Sequence, residues 1–304
     1  MNYTFEKLTA DCSQIVEKYS RMRPIYTSEG QFMNQYIWAD FYQTEYAFTD
    51  KYMFFKMTIN NELATMMPYC KVEDIETAFF DIKDYFNNVL NVPLKMYIVD
   101  ELFLSTLKKS ERFLNEFDIK EERDTFDYMY DAEKLRTLSG KSYHKKKNHL
   151  NAFKKLYDGH YEYRTLHCCD TKEISEFHEE WLKARNVSER LDAITSEETG
   201  VFRVFDHCPL LPCKMGGVYM DGKLAAYSIG SYNPDLKCAF IHIEKGALDV
   251  RGIYNYINQQ FLLNEFPEAE LVNREDDLGE EGLRKAKLSY RPIRLEEKFT
   301  LIQR

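Results

Sequence analysis

The sequence predicts an α+β protein built from two copies of one structural unit. In the first half, a hairpin turning at Asn60-Asn61 precedes a helix, a strand, a second helix and a second strand. In the second half, a hairpin turning at Asp221-Gly222 begins a similar succession. Both turns suit a tight two-residue hairpin, because their residues tolerate the left-handed backbone conformation. Only the order of elements recurs, so the predicted repeat is one of structure.

The first unit is expected to span residues 1–135. After the hairpin, apolar residues recur at steps of three and four, which is the spacing of one buried helical face. These residues are Val72, Ile75, Phe79, Ile82, Phe86 and Val89. The apolar runs that predict strands are 52–59, 62–67, 94–99 and 126–130.

The second unit is expected to span residues 136–304 and to begin with a lysine-rich helix at 139–157. A further helix is capped by Asp170, with Glu173 three residues later. Strands are predicted at 161–166, 216–220, 224–229, 238–244 and 269–272, and helices at 253–266 and near 280. The stretch 185–212 lacks periodicity and is expected to be partly a loop over the site.

Composition and charge exclude some classes of function. The 304 residues are 44% hydrophobic and 15% aromatic, which is enough for two cores of ordinary size. A net charge of −9 excludes a protein that coats nucleic acid or an anionic membrane over its whole surface. The N-terminus does not resemble a leader, and no run approaches the roughly 20 apolar residues that span a bilayer. We therefore expect a soluble, unprocessed, cytoplasmic protein.

The cysteines predict neither a disulfide framework nor a metal site. There are seven, an odd number, and none forms a Cys-x-x-Cys pair, which is typical of reduced thiols in a cytosol. Six residues could approach one another as zinc ligands, but their spacing fits no standard zinc pattern. They are His167, Cys168, Cys169, His207, Cys208 and Cys213.

The stretch 139–157 holds six lysines, two histidines and no acidic residue. On a helix, Tyr143, Leu150, Phe153 and Tyr157 share one apolar stripe, and Lys146 projects into it. Four consecutive positions, 144–147, cover most of the helix circumference and cannot all face water if the helix packs. We therefore expect Lys146 or Lys147 to meet a cleft or an anion. Lys145 and Asn148 adjoin them as candidate phosphate contacts.

A second set of candidates lies around the predicted strand 238–244. His242 and Glu244 are two residues apart and should share a face as base and partner, with Glu244 nearer the strand end. In the turn that follows, Arg251 and Gly252 could hold an anion at the positive end of the next helix. Two alternatives stay open: His242 as a hydrogen-bonded core residue, and Gly252 as a turn that needs one flexible residue.

The polar string after the strand at 269–272 supplies the remaining candidates. Asp276 could act as a general base, and Asp276 or Asp277 could bind an α-ammonium group. The alternative is a solvated loop that caps a helix. The further candidates for substrate contacts are Asn273, Arg274, Lys287 and Tyr290.

Three of these stretches resemble the C-terminal catalytic portion of phosphatidylglycerol lysyltransferases. They are the basic string at 139–153, the strand and turn at 242–252, and the polar string at 273–292. The resemblance implies a tandem of two GNAT-type (acyl-CoA N-acyltransferase-like) folds, similar in fold to Fem-type aminoacyl transferases. In the named enzymes this portion follows a membrane segment, and no such segment is seen in this sequence.

The resemblance implies a transferase that moves an aminoacyl group from aminoacyl-tRNA to a hydroxyl or amine acceptor, with the basic helix contacting tRNA. Two other functions stay open. One is an acetyl-CoA-dependent N-acetyltransferase acting on a small amine, which needs the turn at Arg251 and Gly252 to bind pyrophosphate. The other is a non-catalytic ligand-binding relative that retains the fold.

Overall fold

A computed structural model describes residues 3–184 and 191–304, which divide into two compact units. Unit 1 comprises Met1–Asp127, Asp276–Glu280 and Leu295–Arg304, and unit 2 comprises Tyr128–Glu275 and Glu281–Arg294. The division falls before the predicted boundary at 135/136, and two later segments return to unit 1. A local sequence pattern cannot show such a return, because it does not say which sheet a strand will join.

The strands are β1 (Glu6–Lys7), β2 (Glu45–Phe48), β3 (Tyr52–Ile59), β4 (Glu62–Met66), β5 (Tyr69–Cys70), β6 (Lys95–Asp100), β7 (Phe117–Glu121), β8 (Asp127–Asp131), β9 (Tyr161–Leu166), β10 (Lys214–Met220), β11 (Lys223–Asn233), β12 (Cys238–Gly246), β13 (Leu271–Asn273), β14 (Arg294–Glu296) and β15 (Lys298–Gln303). The α-helices are α1 (Ser13–Ser20), α2 (Phe32–Trp38), α3 (Ile75–Asn88), α4 (Glu101–Leu107), α5 (Glu111–Glu116), α6 (Ala132–Thr137), α7 (His144–Leu156), α8 (Thr171–Ala184), α9 (Leu191–His207), α10 (Ile253–Glu265) and α11 (Glu281–Leu288).

Unit 1 contains a sheet in the order β1-β2-β3-β4-β6-β15-β7, with β5 also paired to β3. The predicted hairpin joins β3 to β4, and Asn60 and Asn61 both have positive φ, as its tight turn requires. The predicted face of α3 is buried from Ile75 to Phe86, while Val72 and Val89 are exposed. Strands β4 and β6 are parallel and pair only at Thr65–Met66 with Met96–Tyr97.

Unit 2 contains a sheet in the order β14-β8-β13-β12-β11-β10-β9. The predicted Asp221-Gly222 turn joins β10 to β11, and both of its residues have positive φ. Strand β12 is antiparallel to β11 and parallel to β13. Helix α10 packs on the sheet through Phe261, and α8 packs on it through His178, which contacts Tyr227. The mixed α+β architecture in two units confirms the predicted fold class.

The helices of unit 2 depart from the sequence prediction in two places. The lysine-rich helix α7 is shorter than 139–157 and is preceded by a 3-10 turn at Lys141–Tyr143. The stretch expected to be partly a loop forms helix α9 over 191–207, while 185–190 lies outside the described residues. Among the described residues, no helix combines the length and the apolar composition that crossing a bilayer requires.

The interpretation of all seven cysteines as reduced thiols is wrong for one pair. Cys168, just before α8, forms a disulfide with Cys208, just after α9, and their Cα atoms are 5.5 Å apart. Helices α8 and α9 pack against each other, so the start of α8 lies beside the end of α9. The pairing depends on this packing, which a separation of 40 residues in the sequence does not reveal.

Candidate functional site

The candidate site of unit 2 lies where two parallel strands diverge. Strands β12 and β13 pair only from Cys238 with Leu271 to Phe240 with Asn273. Strand β13 then ends, whereas β12 continues to Gly246. On this side, the edge of β12 from 241 to 246 has no neighbouring strand in the described sheet. Side chains at this opening can therefore reach the space beside β12, and we name it the β12–β13 gap.

A largely buried ion pair lies in the β12–β13 gap. The Nη2 atom of Arg274 lies 2.9 Å from Oε1 of Glu244, and the two side chains are 13% and 10% exposed. Asn258 of α10 donates a longer bond of 3.4 Å to the other oxygen, Oε2. Burial works against the charge on Arg274, but Glu244 and nearby tyrosines outweigh it and raise the pKa of the guanidinium. Arg274 therefore carries a permanent positive charge.

Lys146 brings a second cation to the same place. Its Nζ atom lies 3.9 Å from the centre of the Tyr290 ring, and the Arg274 guanidinium lies 5.1 Å from that centre. Burial and the charge of Arg274 lower the pKa of Lys146 to about 8. Among the described residues, Glu244 is the only carboxylate that pairs with either cation. The gap therefore carries an excess of positive charge.

Tyr290 is held rigidly between these cations. Asn255 of α10 donates to its phenolic oxygen at 2.6 Å, and Tyr143 donates to its main-chain oxygen at 2.9 Å. Burial raises the pKa of Tyr290 to about 12, so the phenol keeps its proton. A phenol that accepts from Asn255 still has its own proton to donate. Lys287, a predicted substrate contact, instead binds the backbone: its Nζ atom donates to the main-chain oxygen of Arg274 at 2.6 Å.

His242 and Glu244 contact different residues. The register of β12 shifts between Ile241 and Ile243, which makes His242 the extra residue of a β-bulge. Its Nδ1 atom is 2.8 Å from Glu275, and its Nε2 atom is 2.8 Å from Ser231. Both ring nitrogens are engaged and the side chain is buried, as in the core-residue alternative. The predicted pairing of His242 with Glu244 is not seen, because the bulge interrupts the strand alternation.

The turn before α10, where the sequence predicts an anion site, is closely packed at Gly252. Gly252 has a φ of +87°, and a Cβ there would lie 3.1 Å from Cβ of Phe153 and 3.2 Å from the carbonyl oxygen of His149. Helix α7 therefore closes against this turn. The N–H groups of residues 253, 255 and 256 already bond to the carbonyl oxygens of residues 250 and 252. Arg251 is exposed beside them.

Asp276 and Asp277 belong to unit 1, while Glu244, Arg274 and Lys146 belong to unit 2. Asp277 is fully buried 3.5 Å from Arg123, and it accepts the N–H of residue 279 at 3.0 Å. Asp276 accepts the N–H of residue 278 at 3.1 Å. Both carboxylates stabilise a turn, but Asp277 is buried rather than solvated. In unit 2, the buried Asn273 holds the preceding segment by accepting the N–H of residue 275 at 2.7 Å.

The consecutive lysines of α7 differ in their burial. Lys146 is partly buried, whereas Lys145, Lys147 and Asn148 are exposed. Sequence analysis missed the two amides, Asn255 and Asn258, that hold Tyr290 and Glu244. Their spacing of three residues puts them on one side of α10, but the helix carries three further amides, Gln259, Gln260 and Asn264, so the sequence did not single out this pair.

The family model described as phosphatidylglycerol lysyltransferase, C-terminal, matches residues 21–302. The chain belongs to this family. The match confirms the resemblance found in the three sequence stretches, and the two units have the tandem GNAT fold of other structural neighbours.

Two individual proteins are similar to this chain, one over part of its length and one over all of it. An uncharacterised protein of Mycoplasmoides gallisepticum is 31% identical over 168 residues, which are 54% of this chain and 52% of that protein. The chain thus spans about half the length of the curated relative it matches. A conserved protein of unknown function from Bacteroides thetaiotaomicron matches over 100% of both chains, with 26% identity and a TM-score of 0.92.

A more distant solved structure comes from a protein that is named for an activity. The C-terminal domain of a putative lysylphosphatidylglycerol synthetase from Agrobacterium fabrum matches 96% of this chain. The match covers 92% of that domain, with a TM-score of 0.67 and 12% identity. At that identity, the likeness shows the shared fold of the family.

Proposed function

We propose that the chain is an aminoacyl or acyl transferase that works in the β12–β13 gap of unit 2, with an aminoacyl-tRNA as donor. Family membership supports the reaction class. The observation that carries the proposal is the excess cation on Tyr290, where Lys146 and Arg274 meet a single carboxylate, Glu244. A half-buried site with unbalanced positive charge is complementary to an anion or a developing oxyanion.

Transfer from an aminoacyl ester needs three groups, and the gap supplies them. As the acceptor attacks the ester carbon, negative charge develops on the carbonyl oxygen, which the ammonium of Lys146 and the phenol of Tyr290 can stabilise. Glu244 can take the proton of the acceptor hydroxyl or amine through Oε2, which has only a long contact to Asn258. The carbon–oxygen bond to the tRNA ribose then breaks, and the ribose oxygen takes the proton that Glu244 removed from the acceptor.

The remaining lysines of α7 suit the donor rather than the chemistry. Lys145 and Lys147 flank Lys146 and are exposed, so they can contact phosphates outside the gap. The turn before α10 favours this donor over acetyl-CoA, because Gly252 is packed against α7 and neighbouring N–H groups are already bonded. The pyrophosphate of a coenzyme would need those N–H groups.

Transfer from charged tRNA to hydroxylamine tests the proposal, with a mixture of radiolabelled amino acids on the tRNA and hydroxamate as the product. We expect turnover above the uncatalysed rate, and a loss of about 100-fold for Lys146→Met, the size seen when one oxyanion donor is removed. Lys147→Met is the matched control. It should keep its turnover number and weaken tRNA binding, with a shallower dependence on salt.

Three results would count against the proposal. A folded protein that neither binds nor turns over charged tRNA would refute the donor. Heat of binding with acetyl-CoA that disappears in Arg251→Ala would favour the acetyltransferase instead. Saturable tRNA binding without turnover for any amino acid would indicate a non-catalytic relative.

A further inference from the structure

Strand β9 is the last strand at one edge of the unit 2 sheet, and only β10 lies beside it among the described residues. It is six residues long, Tyr161–Leu166, and it pairs with β10 without a register shift. Glu162, Arg164 and Thr165 are exposed. The outer main-chain groups of such an edge can pair with a further strand.

The ladder between β9 and β10 shows which main-chain groups point outward. The N–H of Asp221 donates to the carbonyl oxygen of His160 at 2.9 Å, and the register continues unchanged along β9. In an antiparallel ladder, residues that bond to one neighbour alternate with residues that bond on the other side. The even-numbered residues of β9 therefore bond to β10. The N–H and C=O groups of Tyr161, Tyr163 and Thr165 point away from the sheet.

The other sheet edges in the described part of the chain are less suited to pairing. Strands β1 and β14 have only two and three residues. Strand β7 has five, but the guanidinium of Arg304 donates to the carbonyl oxygens of Phe117 and Asn115, both at 3.0 Å. Short strands and charged side chains at the edge are means by which proteins prevent edge pairing. Strand β9 is longer than these strands, and its charges have a different arrangement.

The charged side chains of β9 determine which strand fits beside it. Glu162 and Arg164 are two residues apart, so they share a face of the sheet, where they form an ion pair. In an antiparallel pair of two β9 strands centred on Tyr163, Glu162 stands opposite Arg164 of the second copy, and Arg164 stands opposite Glu162 of that copy. Both are non-hydrogen-bonded positions of the new pair, where opposing side chains are closest. At this register the strand is complementary to itself in charge.

We propose that two copies of the chain associate through an antiparallel pair of their β9 strands, centred on Tyr163. The pair is symmetric, as a two-fold dimer requires. Tyr161 of each copy exchanges two main-chain hydrogen bonds with Thr165 of the other, and the two Tyr163 residues exchange two more. A strand pair of this length is smaller than a standard interface of about 1,600 Å², so we expect a weak dimer.

This association goes beyond the proposed transfer reaction and does not depend on it. Strands β10 and β11 separate β9 from β12, and the residues assigned to the β12–β13 gap lie outside β9. Lys146→Met should therefore associate as the unaltered chain does, even though it should lose transfer activity.

Hydrogen exchange of the full chain, resolved at single amides, tests the pairing at low and at high protein concentration. In the single chain, the amides of Glu162 and Arg164 are protected by β10, whereas those of Tyr161, Tyr163 and Thr165 face solvent. At a concentration where sedimentation velocity shows the dimer, exchange at the three outer amides should slow by at least about tenfold, because it then requires the strand pair to open.

Charge reversal tests the register. Glu162→Lys places two lysines opposite two arginines, and Arg164→Glu places carboxylates opposite carboxylates. Each variant should weaken self-association by at least about tenfold, because two attractive pairs become two repulsive ones. An equimolar mixture of the two variants should associate as the unaltered chain does, because every opposing pair in the mixed dimer again has opposite charges.

Controls separate this effect from a general effect of charge or folding. Both side chains are about half exposed, so neither change disturbs a core. Glu179→Lys is the matched control, because it makes the same change of charge at an exposed residue of α8. It should leave self-association unchanged.

The proposal is overturned if the chain stays monomeric at every concentration, or if it associates without slower exchange at the three outer amides. Single variants that associate as the unaltered chain does would overturn it too, and so would a mixture that fails to restore association. A chain that dimerises through β9 and transfers no aminoacyl group would refute the proposed transferase alone.

Discussion

Lys146 should react with acylating reagents at a pH where ordinary lysines react only slowly. Only the neutral amine is a nucleophile, and the pKa of Lys146 is lowered to about 8 from an ordinary 10.5. At pH 8 about half of the Lys146 amines are neutral, compared with about 0.3% for an ordinary lysine. The neutral fraction is thus about 100-fold larger.

Peptide mapping by mass spectrometry after brief acetylation with an N-hydroxysuccinimide ester measures this difference. The rate at Lys146 should level off above pH 8. The rate of an ordinary lysine rises about tenfold per pH unit up to pH 9. The exposed Lys147 in the same helix is the matched control. Comparing the shapes of the two pH profiles removes the effect of partial burial on access.

Arg274→Gln is the informative perturbation. Arg274 is the charge that helps to lower the pKa of Lys146, and its removal leaves Glu244 without its cationic partner. Both changes favour the charged lysine, so the midpoint of the Lys146 profile should move to higher pH. A profile that matches Lys147 in the unaltered protein, or one that Arg274→Gln leaves in place, would refute the assignment of an unbalanced cation in the gap.

The remaining predictions concern stability. Gly252→Ala should lower the free energy of unfolding in urea by about 1–3 kcal/mol, because its φ is positive and α7 lies against it. Gly282→Ala, in open space within α11, should instead raise it by about 0.5–1 kcal/mol. Equal shifts would contradict this explanation. Arg274→Met should cost about 3–5 kcal/mol by leaving a buried carboxylate, and adding Glu244→Gln should recover most of it in thermal unfolding. Additive losses would show that the pair is not coupled. Reducing the disulfide should cost about 3–4 kcal/mol for its 40-residue separation, and Cys208→Ala should abolish the sensitivity to reductant.

Local sequence signals predicted the elements well where a short pattern determines the structure. The turns at Asn60-Asn61 and Asp221-Gly222 adopt the positive φ angles that their residues favour. The periodic spacing in α3 buries the expected face, and the ends of that pattern, Val72 and Val89, are exposed because they lie outside the helix. Such features depend on residues within a few positions of one another.

Features that depend on distant partners were not predictable. Strand β15 inserts between β6 and β7, so the last residues of the chain complete the sheet of unit 1. The disulfide at Cys168 has the same origin, because its partner is set by helix packing. The sequence pattern gives the type of an element and says little about its neighbours.

In the candidate site, too, local features were predictable from the sequence and contacts with distant residues were not. Helix geometry narrowed the candidates to Lys146 and Lys147, and in the structure Lys146 is partly buried while Lys147 is exposed. The role of Gly252 did not follow, because the sequence cannot show that α7 closes on that turn. The contacts of His242 changed through one extra residue in β12, and a bulge leaves no mark in the alternation of apolar residues.

Each unit has an opening beside two parallel strands that pair only briefly, and the two openings differ in their balance of charge. In unit 1, the parallel strands β4 and β6 also pair briefly and then separate. Arg23 lies at their ends, 2.6 Å from Asp100 and 3.1 Å from the sulfur of Met67, with its side chain only 1% exposed. That gap is closed by one cation and one carboxylate.

In unit 2, the corresponding opening holds the balanced pair Arg274 and Glu244, and Lys146 is added to it. A half-buried ammonium with no carboxylate of its own costs free energy, which is why its pKa is lowered. An anionic ligand bound beside Lys146 would offset this cost and would therefore bind more tightly. The opening in unit 1 has no such gain, because its two charges already balance. The difference between the two gaps is therefore the physical reason why the proposed function places the reaction in unit 2.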